Sequence, residues 1–190
     1  IVFGDWSSDV CSSDLGGHNL IVEGTADLIY LDVLSTYMIQ SKASPLDGKF
    51  TIIPVGGIDK VPTFIALLGN HLDCTVLVDG QITLNQKLQD MLDKGLLSQE
   101  HLISVSTIVP KKGASIEDLF ELNEYLRLYN SAFSTDLDPS TFNLNEPVVI
   151  QIEKKIGKKY DHRIPADYLL RNRGFLEDIS EQSIQNFKTL

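Results

Sequence analysis

The chain has 190 residues, 43% of them hydrophobic and 22% charged, with a formal net charge of −10 at pH 7. That length suits one sizeable core with a smaller appendage, and no apolar run approaches the roughly 18–20 residues that a membrane-spanning helix needs. So acidic a chain does not coat nucleic acid by bulk electrostatics, which leaves contact with phosphate to metal ions held by acids or to a local basic patch.

Residues 1–15 stand apart. Asp5-Trp6-Ser7-Ser8-Asp9-Val10-Cys11-Ser12-Ser13-Asp14-Leu15 repeats Ser-Ser-Asp without apolar periodicity and resembles a translated sequencing adaptor. We expect it to be an artefact or a disordered tail and exclude it from the fold. Removing Asp5, Asp9 and Asp14 leaves a charge of −7, and Cys74 becomes the sole cysteine. That excludes an internal disulfide and fits a reducing, cytoplasmic compartment. It also leads us to expect a fragment whose own N-terminal portion has been lost.

Leu20 to Val22 reads as a short strand, apolar on both faces as a central parallel strand should be. Glu23-Gly24 ends it, and Thr25 is the expected N-cap of a helix running to about Gln40. Asp27 falls in the first turn of that helix, where an acid suits the dipole. Tyr30, Leu31, Leu34, Tyr37 and Met38 give the helix one buried face. A loop through Pro45 and Asp47-Gly48 leads to a second strand, Phe50 to Val55, closed by Gly56-Gly57. Asp59 to Leu68 is a second helix with Pro62 tolerated in its first turn.

Cys74 to Val78 is the third strand, ending at Asp79-Gly80. Leu84, Leu88, Met91 and Leu92 mark a helix that closes at Gly95, and Leu102 to Ser106 is the fourth strand. Strand and helix alternate as in right-handed βαβ units, so residues 16–112 predict an α/β core with a parallel sheet of about four strands flanked by helices. After Pro110 the pattern changes. One helix from Ser115 to about Tyr129, an apolar and then basic stretch Val148 to Ile156, and short helices around Tyr168–Leu170 and Phe175 predict a mainly helical extension over 113–190.

In an open parallel sheet, ligands bind beyond the carboxyl ends of the strands. Glu23 and Asp79 both fall there, and on neighbouring strands about 4.8 Å apart their carboxylates could share one hard cation. Magnesium suits such a site because it takes a few carboxylate oxygens and keeps exchangeable waters. A metal so held can activate water and stabilise a phosphodiester under attack.

Glu23-Gly24-Thr25-Ala26-Asp27 resembles the glutamate motif of Toprim domains, and Asp79-Gly80-Gln81 lies where that family carries Asp-x-Asp. Pro54-Val55-Gly56-Gly57 with Asp59-Lys60, Ser115-Ile116-Glu117-Asp118-Leu119-Phe120, and Asp161-His162 with Pro165-Ala166 are similar to stretches of the OLD (overcoming lysogenisation defect) family of ATP-dependent endonucleases. The resemblance covers nearly everything after Gly16. It implies a Toprim fold over 16–112, with the extension completing a nuclease site. It implies Glu23 as metal ligand and general base, Asp27 and Asp79 as metal ligands, and an acid of the Glu117-Asp118 pair on a second metal. The metal would be Mg²⁺ or Mn²⁺. A catalytic lysine is expected in the cluster Lys154, Lys155, Lys158 and Lys159, with Lys154 and Lys155 as first candidates. The implied partners are DNA, an upstream ATPase domain and a second copy of the chain. ATP would act only through the upstream domain, since this chain holds no Gly-x-x-x-x-Gly-Lys-Ser/Thr. Phage defence would be the setting.

Each of these residues also has a plainer reading. Glu23 could be a solvated turn acid, and Asp27 could serve only the helix dipole. Asp118 has a rival role as the acid of a Ser115-x-x-Asp118 capping box, which leaves Glu117 the less explained of the two. Gly56 and Gly57 could end a strand or admit a phosphate. Lys60 and the lysine cluster read first as solvated side chains. His71 and His162, without paired spacing, read as surface or hydrogen-bonding residues rather than ligands. Gln81 stands where an acid is expected and brings no negative charge. It keeps open a second function, a weakened or inactive Toprim module used for DNA binding or assembly. A primase or a topoisomerase is a third option, but neither a zinc-ribbon cysteine set nor a dedicated tyrosine domain is present to favour it.

Overall fold

The computed structural model describes residues 18–41, 51–68, 73–80 and 86–190. Four apolar stretches, β1 (Asn19–Val22), β2 (Thr51–Pro54), β3 (Cys74–Val78) and β4 (Leu102–Ser104), form one parallel sheet in the order β2-β1-β3-β4. Ile21 lies opposite Ile53 on one side and Val76 on the other. The chain leaves β1 for β2 in one direction and later returns to the other side of β1 as β3. The gap beyond the ends of β1 and β3 is therefore the switch point of the sheet, where such folds bind their ligands.

Alternate side chains build two cores. Ile21, Val76 and Val78 face α2 (Val61–Leu68) and α3 (Gln86–Asp93), whereas Val22 and Leu77 face α1 (Thr25–Gln40). Both faces of the central strands are covered, which explains why β1 and β3 are mostly apolar. The second core continues into α5 (Leu122–Phe133), α6 (Val148–Ile156), α7 (Arg163–Arg171) and α8 (Glu181–Lys188). Tyr30 and Leu34 of α1 share it with Leu126, Ile152, Leu169 and Phe187, all fully buried. Each such side chain contributes roughly 1.5–3 kcal/mol by leaving water, so the segment 113–190 is bound firmly to α1.

Four local readings change. The N-cap of α1 is Gly24, whose N–H donates to Asp27 Oδ2 at 2.8 Å, and Thr25 is the first, exposed residue of the helix. The second helix opens with a 3-10 turn, Ile58–Lys60, before α2. The fourth strand ends at Ser104, because Val105–Ile108 folds into a single turn, α4, with Thr107 Oγ1 donating to the Ser104 carbonyl at 2.7 Å. The helix expected from Ser115 to Tyr129 is broken. A 3-10 turn, Ile116–Leu119, is followed by extended backbone at Phe120 and Glu121, then by α5. Phe120 leaves the helical path to set its ring against Phe187 at 4.9 Å and Tyr30 at 5.6 Å. The Glu121 N–H meanwhile bonds Ser183 Oγ at 2.8 Å. Residues 1–15, Pro45, Asp47-Gly48, Phe50, His71, Gln81 and Leu84 lie outside the described residues.

Candidate functional site

Glu23 is the first residue beyond β1 and Asp79 the first beyond β3. The Asp79 N–H donates to Glu23 Oε1 at 3.1 Å, so the two strand ends are tied together through the acid itself. Asp27 stands one turn into α1, turned back onto the Gly24 N–H. On the other side of Glu23, the Gly57 N–H donates to its carbonyl at 2.6 Å. Gly56 and Gly57 take φ of 79° and 122°, a backbone that side chains resist.

The third strand end reaches the extension through Gly80. Its N–H bonds the Ala114 carbonyl at 2.6 Å, and a Cβ there would fall 1.5 Å from Ser106 Oγ. Only glycine permits that approach, which brings the 3-10 turn of residues 116–119 to the site. Glu117 enters from this turn, completely buried, and its Oε1 accepts from His162 Nδ1 at 2.7 Å. Its Oε2 has no hydrogen-bond partner among the described residues. His162 precedes α7, with the Tyr160 ring edge-on against it at 4.8 Å. The Tyr160 hydroxyl bonds that of Tyr125, which in turn reaches Tyr30 at 3.4 Å, so a row of buried phenols backs the histidine.

Glu23, Asp27, Asp79, Tyr160, His162, Gly56 and Gly57 line a cleft of about 660 Å³, with Lys159 and Arg163 also on it; Glu117 lies buried beneath His162. The carboxylates perturb one another. Burial, offset in part by the Asp79 N–H, raises Glu23 above the usual carboxylate range. Burial and the charges of Glu23, Glu117 and Asp27 push Asp79 well above it. Asp27 rises to about 7, again chiefly through burial, with Glu117 and Glu23 adding to it. Burial alone would lower His162, but the hydrogen bond and charge of Glu117, with Asp79 and Asp27, outweigh it and lift the imidazole to about 9. The result is an acidic pocket opposed by the His162 imidazolium, with the Lys159 and Arg163 side chains also on its lining.

Asp118 is employed elsewhere. It takes Lys111 Nζ at 3.0 Å, the Val148 N–H at 3.0 Å and the Ser115 N–H at 3.1 Å, joining the 3-10 turn to α6. Burial holds its carboxyl above the usual range even against the Lys111 charge. The lysines divide as well. Lys154 pairs with Glu146 at 3.4 Å, and Lys155 donates to Thr141 Oγ1 at 2.9 Å with its ammonium 4.8 Å from the Phe142 ring centroid. Neither borders the cleft; Lys159 does. Lys60 packs over Gly56, its Nζ 3.2 Å from where a Cβ would sit.

Sequence patterns did not bring out His162 and Tyr160 as the centre of the constellation. The signal was the Asp161-His162 pair in an ordered set of motifs, but nothing local tells that its imidazole meets an acid 45 residues away. The hydrogen-bonding reading of His162 agrees with its bond to Glu117.

Among the described residues, no group of three or more His, Cys, Asp or Glu side chains is arranged to hold an ion as it stands. The donor chemistry nonetheless fits a hard divalent cation. Glu23, Asp27 and Asp79 offer only carboxylate oxygens, and Asp27 and Asp79 are raised first by burial and further by the like charges around them, a repulsion that a cation would relieve.

No protein-family model matches the sequence, and no curated protein matches it. Among solved structures, the C-terminal region of the OLD protein of Xanthomonas campestris pv. campestris superimposes with a TM-score of 0.51 at 13% identity, over 92% of this chain and 93% of that one. The C-terminal region of the Burkholderia pseudomallei OLD protein gives a TM-score of 0.47 at 12% identity, over 92% and 96%. The fold of the chain is thus that of an OLD C-terminal region, an α/β parallel sheet with a helical extension.

Proposed function

We propose that this chain is the Toprim nuclease part of an OLD-like ATP-dependent endonuclease, hydrolysing DNA phosphodiesters with Mg²⁺ or Mn²⁺ in the cytoplasm, in the service of phage defence. An ATPase domain would stand upstream in the whole protein, and a homodimer would be its working form. The observation that carries the reading is the meeting of Glu23, Asp27 and Asp79 at the switch point of the sheet, closed by Glu117 from the extension.

Glu23, Asp27 and Asp79 would hold the metal, which when bound supplies Lewis-acid stabilisation of the phosphate. The chain's own residues supply the rest. The Asp79 N–H fixes Glu23 at the strand end, and the Glu23 carboxylate would take the proton of an attacking water. Gly56 and Gly57 leave backbone accessible to a phosphate. Lys159 and Arg163 give the acidic cleft a cationic edge for the flanking strand. Among the described residues, no helix is long and apolar enough to cross a membrane.

Incubation with plasmid DNA and Mg²⁺ or Mn²⁺ tests the reading. Nicking is expected, and Glu23→Ala should abolish it. No nicking, or nicking that survives Glu23→Ala, sinks the proposal. Gln81, standing where an acid is expected, favours a second reading, a lapsed nuclease kept for DNA binding or assembly. Gln81→Asp then creates strong metal binding and cleavage; no effect on either removes that account.

A further inference from the structure

The Glu117–His162 pair does more than close the acid cluster. Glu117 is fully buried and takes the Nδ1–H of His162 at 2.7 Å, while the histidine side chain is 43% exposed and borders the cleft. With Nδ1 committed to the interior, the edge of the ring left to face the cleft carries Nε2. The Tyr160 ring meets the imidazole at an interplanar angle of 89°, which fixes its tilt, and the Tyr160 hydroxyl is anchored in turn on Tyr125. A carboxylate on one nitrogen, an aromatic wall and an open second nitrogen together make a proton-transfer group aimed into a reaction cleft.

We propose that His162 is the general acid of the site, giving its Nε2 proton to the oxygen that leaves phosphorus, with Glu117 and Tyr160 as its positioning residues. The inference rests on the phosphodiesterase reading above. In the step, the oxygen of a water forms a bond to phosphorus while the bond from phosphorus to the departing ester oxygen breaks. The water's proton passes to the Glu23 carboxylate, and the departing oxygen takes the Nε2 proton and leaves as an alcohol. Proton return from Glu23 to His162 through solvent restores both groups, so one water is consumed and no other reactant is needed. Glu23 lies on the strand side of the cleft and His162 on the extension side, as a base and an acid acting on opposite partners of the displacement require.

A leaving group that needs no proton separates this role from a structural one. The full chain is assayed with plasmid DNA and with the p-nitrophenyl ester of thymidine 5′-monophosphate, whose nitrophenolate departs unassisted. His162→Asn keeps an amide donor for Glu117 but has no second nitrogen toward the cleft. It should slow plasmid cleavage by roughly 10²–10⁴-fold, the usual worth of a general acid, and ester cleavage by less than about tenfold. Tyr160→Phe, which keeps the aromatic wall, should retain the wild-type ratio of the two activities more closely than His162→Asn. Equal losses on both substrates in a His162→Asn protein that melts like wild type overturn the inference and leave the nuclease reading standing. Unchanged plasmid cleavage does the same. A wild-type protein that cleaves neither substrate removes the nuclease reading, and this inference with it.

Discussion

Glu117 and Asp118 are adjacent acids with opposite employments. Asp118 satisfies Lys111 and two backbone N–H groups, so Asp118→Ala leaves a largely covered ammonium and two donors unmatched. Breaking such a pair costs about 3–5 kcal/mol, and urea denaturation should show a loss of that order. Glu117→Gln preserves volume and an acceptor for His162. It should destabilise the protein less than Asp118→Ala does, because no donor is left without an acceptor, while reducing plasmid nicking about 10–100-fold, the usual effect of weakening the partner that orients a site group. Equal destabilisation by both substitutions would count against the division. The basic residues divide along the same line. Lys159→Ala should lower the salt dependence of DNA binding by about one unit of slope, and Lys154→Ala, beside Glu146 outside the cleft, should leave it unchanged. In the sequence the Ser115-x-x-Asp118 spacing announced the cap. The bond of Glu117 to His162 depends on a partner far along the chain, and local spacing cannot contain that.

Between elements, the joints rather than the elements were hard to read. The strands were legible because central parallel strands are apolar on both faces, and α1 because its three-to-four spacing is long and regular. The break at Phe120 and Glu121 was not, since both residues tolerate a helix and only the pockets beside Phe187 and Ser183 draw them out of it. Gly80 is the joint on which the site depends most. Gly80→Ala would drive a methyl group into Ser106 and against the Ala114 N–H, separating β3 from the turn that carries Glu117. Overpacking of this kind costs about 1–3 kcal/mol or more. The expected result is a lower urea midpoint together with lost nicking. Retention of both would show that the loop has room that its contacts deny.

Across the whole molecule, the site is where two cores and two halves of the chain meet, and its charge makes folding sensitive to pH. Asp27 is raised to about 7, so the folded state is favoured while that carboxyl is neutral, and the advantage fades as pH rises from about 4 through 7. His162, raised to about 9, contributes stability that is full below about 6.5 and is lost as pH passes 9. Both slopes run downward. The metal-free protein should therefore melt several degrees lower at pH 9 than at pH 6, and Mg²⁺ or Mn²⁺ should recover part of the difference at the higher pH. A melting temperature that climbs across this window would contradict the placement of the acids.

The packing of α7 on α1 also sets an order in time. On a ribosome adding on the order of ten residues per second, the first strand and α1 emerge early, and their shared face waits many seconds for its cover. Glu23 and Asp27 are joined first by Asp79, then by Glu117, and only after it by His162. A nascent chain therefore carries the acids of the cleft before the imidazole that opposes them, and the constellation closes only once α7 has been made. The cleft joins residues around the first strand to residues just before α7, so a chain that stops short of His162 cannot assemble it.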